Sequence, residues 1–362
     1  MTELVAGNSL AKVSIIIPHF NRGDLLLQTL ESVRDQSFAN WEVIVVDDGS
    51  MPEEWQKAQQ FRDQRVRFVQ RTDGIKGPSR CRNIGLQCST GEYVVFVDSD
   101  DLLAPWCLAD RVQSIESHTD VGFVVFPVML FRNEPGDLAT LWNRLEGDND
   151  LDRFLRSDPP WHTSSPLWRR EAIEKLGGFD EAIMYGDDAD LHMRALFARV
   201  QYANLGGVVP DAFIRRAADG RITNTLTDRL LESRVIRLGR GTQLVKSCGT
   251  SGQQRLWEGQ YFVEAEFLLF NVPNSRQRQQ DIIRSWRQSW APTWIQTRVV
   301  CGYFWLAHLT RHRCYTLLRV ARRLAISMLP CEFFPRGGSF ETAELSAEEF
   351  RLLVSRLAMR QV

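Results

Sequence analysis

The stretch "YVVFVDSDDLLAPWC", residues 93–107, sets the reading of the whole chain. Tyr93 to Val97 are β-branched or aromatic, the composition of a buried strand. They run straight into Asp98, Asp100 and Asp101. Carboxylates at that density repel one another, and they lose hydration if partly buried. A helix cap before Leu102 accounts for one or two of them. A divalent cation accounts for all three. Mg²⁺ and Mn²⁺ are hard ions that take carboxylate oxygens and keep positions open for water and phosphate.

Upstream, three more strand-like runs stand at residues 13–17, 41–46 and 66–70. Helix-like runs at 23–36, about 53–62 and 77–88 separate them. Continuous apolar strands alternating with helices predict a parallel sheet covered on both faces. Ligands then sit at the carboxyl ends of the strands. The polar residues gather there: Pro18, His19, Phe20 and Asn21 after the first strand, Asp47 to Ser50 after the second, Asp98 to Asp101 after the fourth. Asp-Gly-Ser at 48–50 is also good turn chemistry, which leaves Asp47 unexplained. The loop entering the helix at 77 brings Arg80, Arg82 and Asn83, suited either to a phosphate or to pairing with the acidic loops.

Further on, 121–131 reads as another strand. Residues 161–181 read as a short strand, then a helix ended by Gly177 and Gly178. "YGDDADLHMRALFARV", 185–200, reads as a second acidic loop opening a helix. Asp187, Asp188 and Asp190 suit the helix dipole, and a base separate from the metal ligands must also be a carboxylate of this kind.

Together these segments resemble family 2 glycosyltransferases of the GT-A fold. Six elements occur in order over about residues 12–200: Pro18 to Asn21, Val45 to Ser50, Arg82 to Gly85, Gly91 to Asp101, Arg169 to Glu181 and Gly186 to Leu191. The resemblance implies a Rossmann-like, mostly parallel sheet flanked by helices. It also implies inverting transfer from a nucleotide sugar, foremost a UDP-sugar, to a hydroxyl of a glycan or lipid-linked acceptor. Pro18, Phe20, Asn21, Asp47, Asp48, Arg82, Asn83 and Asp98 would meet the donor. Asp100, with Asp98, would hold Mg²⁺ or Mn²⁺. Asp188 would be the base beside Asp187, which stands where the family usually has Glu. The family's His downstream of the base is missing from 213–224, where Arg215, Arg216 and Arg221 are the available replacements.

Rival classes lack their signatures. A sugar nucleotidyltransferase wants a glycine-rich loop where this chain has "PHFNRGD", and a dinucleotide-binding oxidoreductase wants G-x-G-x-x-G after a strand. A non-catalytic sugar-binding protein on the same fold would have lost the metal or base carboxylates, and both sets are present.

With 362 residues the chain predicts two regions, 1–225 catalytic and 226–362 helical. A net charge of −1 argues against a nucleic-acid binder. Seven scattered cysteines without C-x-x-C predict reduced thiols and a cytoplasmic setting, and "MTELVAGNSLAK" has no apolar leader segment. The asymmetry lies in the tail. From Arg276 to Arg323 there are ten arginines against one acid, Asp281, interleaved with Trp286, Trp290, Trp294 and Trp305, the first three recurring every fourth residue as a helical stripe. Two readings stand: a Trp face packed on the catalytic region, or peripheral contact of 276–323 with the inner face of a membrane. Ser346 and Glu349 predict a capping box opening a last amphipathic helix.

Overall fold

The computed structural model describes residues 13–74, 76–145, 147, 149–216, 227–310, 315–328 and 343–358. Arg221, Arg311 and Arg313 lie outside these. The chain divides into two compact units. One is built from Met1–Gly147, Pro160–Arg221 and Glu341–Val362, the other from Asp148–Pro159 and Ile222–Phe340.

The sheet-bearing unit opens with β1 (Val13–His19), α1 (Gly23–Arg34), β2 (Trp41–Asp47), α2 (Pro52–Ala58), β3 (Val66–Gln70), α3 (Pro78–Cys88) and β4 (Tyr93–Phe96). The four strands are parallel. Their unbroken apolar runs are explained by burial on both faces. Ile15, Ile17, Val43, Val45 and Val95 enter the main core, while Ile44 and Val46 meet Cys81 of α3 on the other side. Gly85 makes that second contact feasible. A Cβ there would lie 2.3 Å from Ile16 Cγ2, so only glycine lets α3 lie this close to the sheet.

β5 (Leu102–Leu103) and α4 (Cys107–Ser117) follow. The run at 121–131, expected as one strand, is two: β6 (Phe123–Val125) and β7 (Val128–Phe131), in different sheets. Pro127 stands between them and has no N–H to continue a ladder. Then come β8 (Thr140–Leu141), α5 (Asp150–Leu155), β9 (Pro166–Arg169), α6 (Arg170–Lys175), α7 (Asp187–Phe197), β10 (Tyr202–Asn204) and β11 (Ala212–Arg215).

The larger sheet has the order β10-β6-β9-β4-β1-β2-β3, and β9 runs antiparallel to both neighbours. This is the mostly parallel sheet that the sequence predicts, with one inverted strand. The chain moves outward from β1 to β3 and then returns to the other side of β1 as β4. The tips of β1 and β4 therefore flank the switch point, where α/β sheets bind ligands. A second sheet, β12 (Ala343–Glu344)-β8-β7-β11-β5, has no counterpart in the sequence reading.

The second unit is helical: α8 (Asp228–Cys248), α9 (Ser251–Asn271), α10 (Arg276–Trp290), α11 (Trp294–Thr310) and α12 (Tyr315–Met328), with α5. Thr250 and Gln253 open α9 with a capping box. Tyr261, Phe262, Trp286 and Phe304 anchor the unit's own core. The expected every-fourth Trp stripe does not form. α10 ends at Trp290, Ala291 is left-handed (φ 46°), and Pro292 follows, so Trp294 starts a new helix. Trp286 is buried and donates to Glu258 at 2.8 Å, whereas Trp294 is 71% exposed. β12 (Ala343–Glu344) and α13 (Ala347–Ala358) belong to the sheet-bearing unit. The predicted capping box is there: Ser346 N–H donates to Glu349, and Glu349 N–H to Ser346 Oγ. No helix among the described residues is long and apolar enough to cross a membrane.

Candidate active site at the strand tips

The tips of β1 and β2 are tied together by their own polar residues. Asn21 adopts a left-handed conformation (φ 51°). Its Oδ1 accepts from Met51 N–H at 2.7 Å, and its N–H donates to Ser50 Oγ at 2.9 Å. Asp47 is fully buried and accepts from the Gly49 and Ser50 amides, which explains why a carboxylate ends an apolar strand. Asp48 accepts from Arg71 Nε at 2.9 Å and from Gly77 N–H at 3.0 Å, joining this tip to the entrance of α3. Pro18 pairs in register with Val46. Phe20 is exposed at the rim, with Lys76 Nζ 5.4 Å from its ring centre. His19 is buried against Trp55, and that burial pushes its ring below the usual imidazole range despite Asp47 and Glu54.

Arginines relieve the crowding at the β4 tip. Arg22, from the β1 tip, pairs with Asp100 Oδ2 at 2.8 Å across the switch point. Arg82 pairs with Asp98 Oδ1 at 2.7 Å. Asp101 Oδ1 accepts from the Arg215 amide at 3.1 Å, and Arg215 Nε donates to the Asp100 carbonyl at 3.0 Å. His162 Nε2 stands 4.0 Å from Asp98 Oδ2. Asp98, Asp101 and His162 each offer a ligand atom within 4.8 Å of the others. Asp98 and Asp100, the expected metal pair, thus face different arginines.

Arg82 also reaches the second acidic loop, 105 residues away in sequence. Its Nη1 meets Asp187 Oδ2 at 2.5 Å. Asp187 is buried and also accepts from Ser79 Oγ at 3.0 Å. Asp188 is half-buried, and its Oδ1 accepts only locally, from Ala189 N–H at 2.8 Å, among the hydrogen bonds described. Electrostatics separate the three acids. Burial pushes Asp98 up, but Arg82 and then His162 outweigh it and hold the carboxyl below its usual range. Burial pushes Asp187 and Asp188 above theirs, with Arg82 opposing. Burial works against the charge on Arg82, yet Asp187 and Asp98 keep it more firmly protonated than usual. A site with one ionised acid and another lifted toward neutrality is suited to cation binding at the first and proton exchange at the second.

Asn83, expected near the donor, is engaged with the turn that precedes α7. Its amide donates to Phe179 O and Glu181 Oε1, both at 2.9 Å, and accepts from Phe179 N–H. Gly178 is left-handed (φ 68°), and a Cβ on it would fall 2.6 Å from Asn83 Oδ1, so the Gly-Gly turn is shaped around this amide. Arg80 likewise bridges Asp73 and Glu181. Arg22 and His162 carried no recognisable signal in the sequence. A single arginine after a turn and a single histidine in a loop are common, and only the fold brings them to the β4 tip.

The Glycosyl transferase family 2 profile matches residues 14–177. A Campylobacter jejuni GalNAc(5)-diNAcBac-PP-undecaprenol beta-1,3-glucosyltransferase is 35% identical over 104 residues, 28% of this chain and 34% of that protein. The Escherichia coli UDP-Glc:alpha-D-GlcNAc-diphosphoundecaprenol beta-1,3-glucosyltransferase WfaP is 31% identical over 105 residues, 29% of this chain and 41% of that protein. The matched stretches span between 13% and 62% of the lengths of such relatives. Residues 1–349 of S. aureus TarS in complex with UDP-GlcNAc superpose with a TM-score of 0.62 at 17% identity, covering 86% of this chain and 92% of that one, a likeness of fold. The ordered motifs and the profile match make residues 14–177 similar to glycosyl transferase family 2, on a fold like that of TarS.

Proposed function

We propose that the chain transfers a sugar from a UDP-sugar to a hydroxyl of a lipid-linked glycan acceptor, in a single displacement with inversion, at the cytoplasmic face of a membrane. The observation that carries this reading is the contrast between Asp187 and Asp188. Burial raises both carboxyls, but Asp187 is held by Arg82 and Ser79, while Asp188, one residue on, is half-buried and accepts from the Ala189 amide. A raised carboxylate beside an open edge is suited to accept the acceptor's proton as the hydroxyl attacks the anomeric carbon. The names of the undecaprenol-dependent relatives and of the UDP-GlcNAc complex support the substrate classes.

The β4 tip fits a divalent cation. Asp98, Asp101 and His162 converge, and the carboxylate oxygens suit Mn²⁺ or Mg²⁺. Asp98, which belongs to that cluster, and Asp100, which pairs with Arg22, would hold it. When bound, such an ion would neutralise the departing diphosphate. The chain's own residues supply the rest. Asp47 and Asp48 shape the nucleoside end, Phe20 and Asn21 form its rim, and Arg82 keeps Asp98 ionised. Catalysis is assigned to residues 1–225.

The test is a panel of UDP-sugars with undecaprenyl-diphosphate-linked acceptors, with and without Mn²⁺, read as product formation and anomeric configuration. Metal-dependent binding of UDP is measured in parallel by calorimetry. Asp100→Asn should abolish the metal-dependent part of UDP binding while the fold persists. Undiminished Mn²⁺-dependent binding in that variant would reject the metal assignment. A retained anomeric configuration in the product would reject the single displacement.

A further inference from the structure

The helical unit presents a surface that its own packing does not explain. α11 is apolar almost all round. Its inner face, Val300, Tyr303, Phe304 and Ala307, is buried in the unit's core. Its outer face follows the helical repeat through Trp294 and Ile295, Arg298, Gly302, Trp305 and Leu309, and all six are exposed. Trp294 is 71%, Trp305 62% and Leu309 64% exposed. A helix lying on a water-facing surface normally carries polar residues there. α12 adds exposed Leu317 and Val320, with Arg319 and Arg323 on the same helix. At the α10–α11 corner, Arg284 and Arg287 line a cleft of about 600 Å³ beside Trp294. Arg298 lies 5.4 Å from the centre of the Trp294 ring.

We infer that this face docks on an anionic lipid bilayer, with Trp294, Trp305 and the neighbouring aliphatic side chains at headgroup depth and the arginines among the phosphates. Aromatic and aliphatic side chains interleaved with arginine are the composition of an interfacial helix. The charge selects the partner. Asp281 is the single acid between Arg276 and Arg323, and it pairs with Arg284. A second copy of the chain would bring the same arginine-rich rim against itself, whereas an anionic surface would neutralise it. Nucleic acid would also neutralise the rim. However, exposed Ile295, Leu309, Leu317 and Val320 cannot stack on bases, and they gain by leaving water for lipid. The inference is independent of the reading of the strand tips.

The test uses the full chain with vesicles of phosphatidylcholine, with and without phosphatidylglycerol, read by co-sedimentation. Binding should require phosphatidylglycerol and weaken as salt is raised. Arg284→Gln and Arg287→Gln should each lower partitioning about fivefold at low salt. Trp294→Ala with Trp305→Ala should lower it about tenfold or more, with the circular dichroism spectrum unchanged. Should that double variant fail to fold, brominated lipid provides a second readout on the unaltered chain, where tryptophan fluorescence should be quenched only in phosphatidylglycerol vesicles. Absence of binding at low salt, full binding by the double tryptophan variant, or absence of quenching would overturn the inference. So would a concentration-dependent dimer in sedimentation velocity that the double variant abolishes, or retention on a single-stranded oligonucleotide that outcompetes the vesicles.

Discussion

Arg111 and Arg82 are both buried guanidinium groups of the sheet-bearing unit, and both bind aspartate. Arg111 grips Asp211 with two parallel bonds of 2.7 and 2.6 Å and donates its remaining arm to the Ser164 carbonyl at 2.7 Å. One cation meets one anion, and the fork is filled. Arg82 divides its arms between Asp98 and Asp187 and lies within electrostatic reach of Asp188 as well. Its Nε has no hydrogen-bond partner among the described residues. One cation serves three acids. The first arrangement is complete as it stands. The second leaves negative charge in surplus at the open end of a sheet, which is stable only where solvent, or an incoming cation or proton, completes it.

The sharpest test of this contrast is Asp188→Asn. The change is nearly isosteric and keeps a polar group on the first turn of α7. Transfer should fall by about 10²–10⁴-fold, because the amide cannot take a proton. Donor affinity, measured by calorimetry, should be retained. Asp187→Asn should cost less in rate, since Asp187 is committed to Arg82 and Ser79. If Asp187→Asn were the silent-binding, dead-transfer variant and Asp188→Asn were active, the roles of the two would be exchanged.

Next in size is a pair of arginine substitutions read by urea unfolding and by UDP binding. Arg111→Met leaves Asp211 fully buried without its cation and should cost roughly 3–5 kcal/mol of stability, while the folded fraction binds UDP normally. Arg82→Met should cost less stability, because Asp98 and Asp188 are only half-buried and solvent can reach them, and buried Asp187 keeps Ser79 Oγ as a donor. It should nevertheless impair UDP binding. Equal losses of stability in the two variants would erase the distinction between a closed pair and an open one.

The sequence reveals the outline of the open site better than its wiring. β1 to β4 were legible because their buried runs are unbroken, and each ends on a polar tip. The two acidic loops were legible because carboxylates at a strand end and at a helix start need a reason. Arg82 is legible as a motif residue, but its dual partnership is not, since Asp98 and Asp187 lie 16 and 105 residues beyond it in sequence and only the fold brings them to one guanidinium. Asn83 is a similar case: its motif is legible, but the contact of its amide with Phe179, 96 residues away, is not. In the helical unit, spacing alone made Trp286, Trp290 and Trp294 one stripe. The break at Ala291 and Pro292 sends Trp286 inward and Trp294 out. The closed Arg111–Asp211 pair left no trace in the sequence reading at all, because a buried ion pair one hundred residues apart has no local pattern.

The smallest expected effect is the most discriminating, because it turns on sign. Burial holds both Asp188 and Asp211 above the usual aspartate range, against the opposing pull of Arg82 and Arg111. A group whose pKa is raised on folding stabilises the native state below the unfolded value, and that contribution is lost as pH rises through the folded one. Where wild-type Asp188 is ionised, it carries its charge in a place that resists it. Asp188→Asn removes the charge without removing a strong partner, so the variant should be slightly more stable than wild type at pH 7. A gain of about 0.5–1 kcal/mol is expected, kept small by the partial exposure of Asp188. The gain should vanish as the pH is lowered to where wild-type Asp188 is protonated in both states. Over the same range wild-type transfer should decline, since a protonated Asp188 cannot act as base. Asp211→Asn starts from the same direction of shift but should lose stability at every one of these pH values, because it opens the bidentate pair and strands Arg111. Parallel urea titrations of the two variants across the acid range distinguish the outcomes. If both variants lost stability at neutral pH, Asp188 would be as closed a structural partner as Asp211, and the open site would not be open.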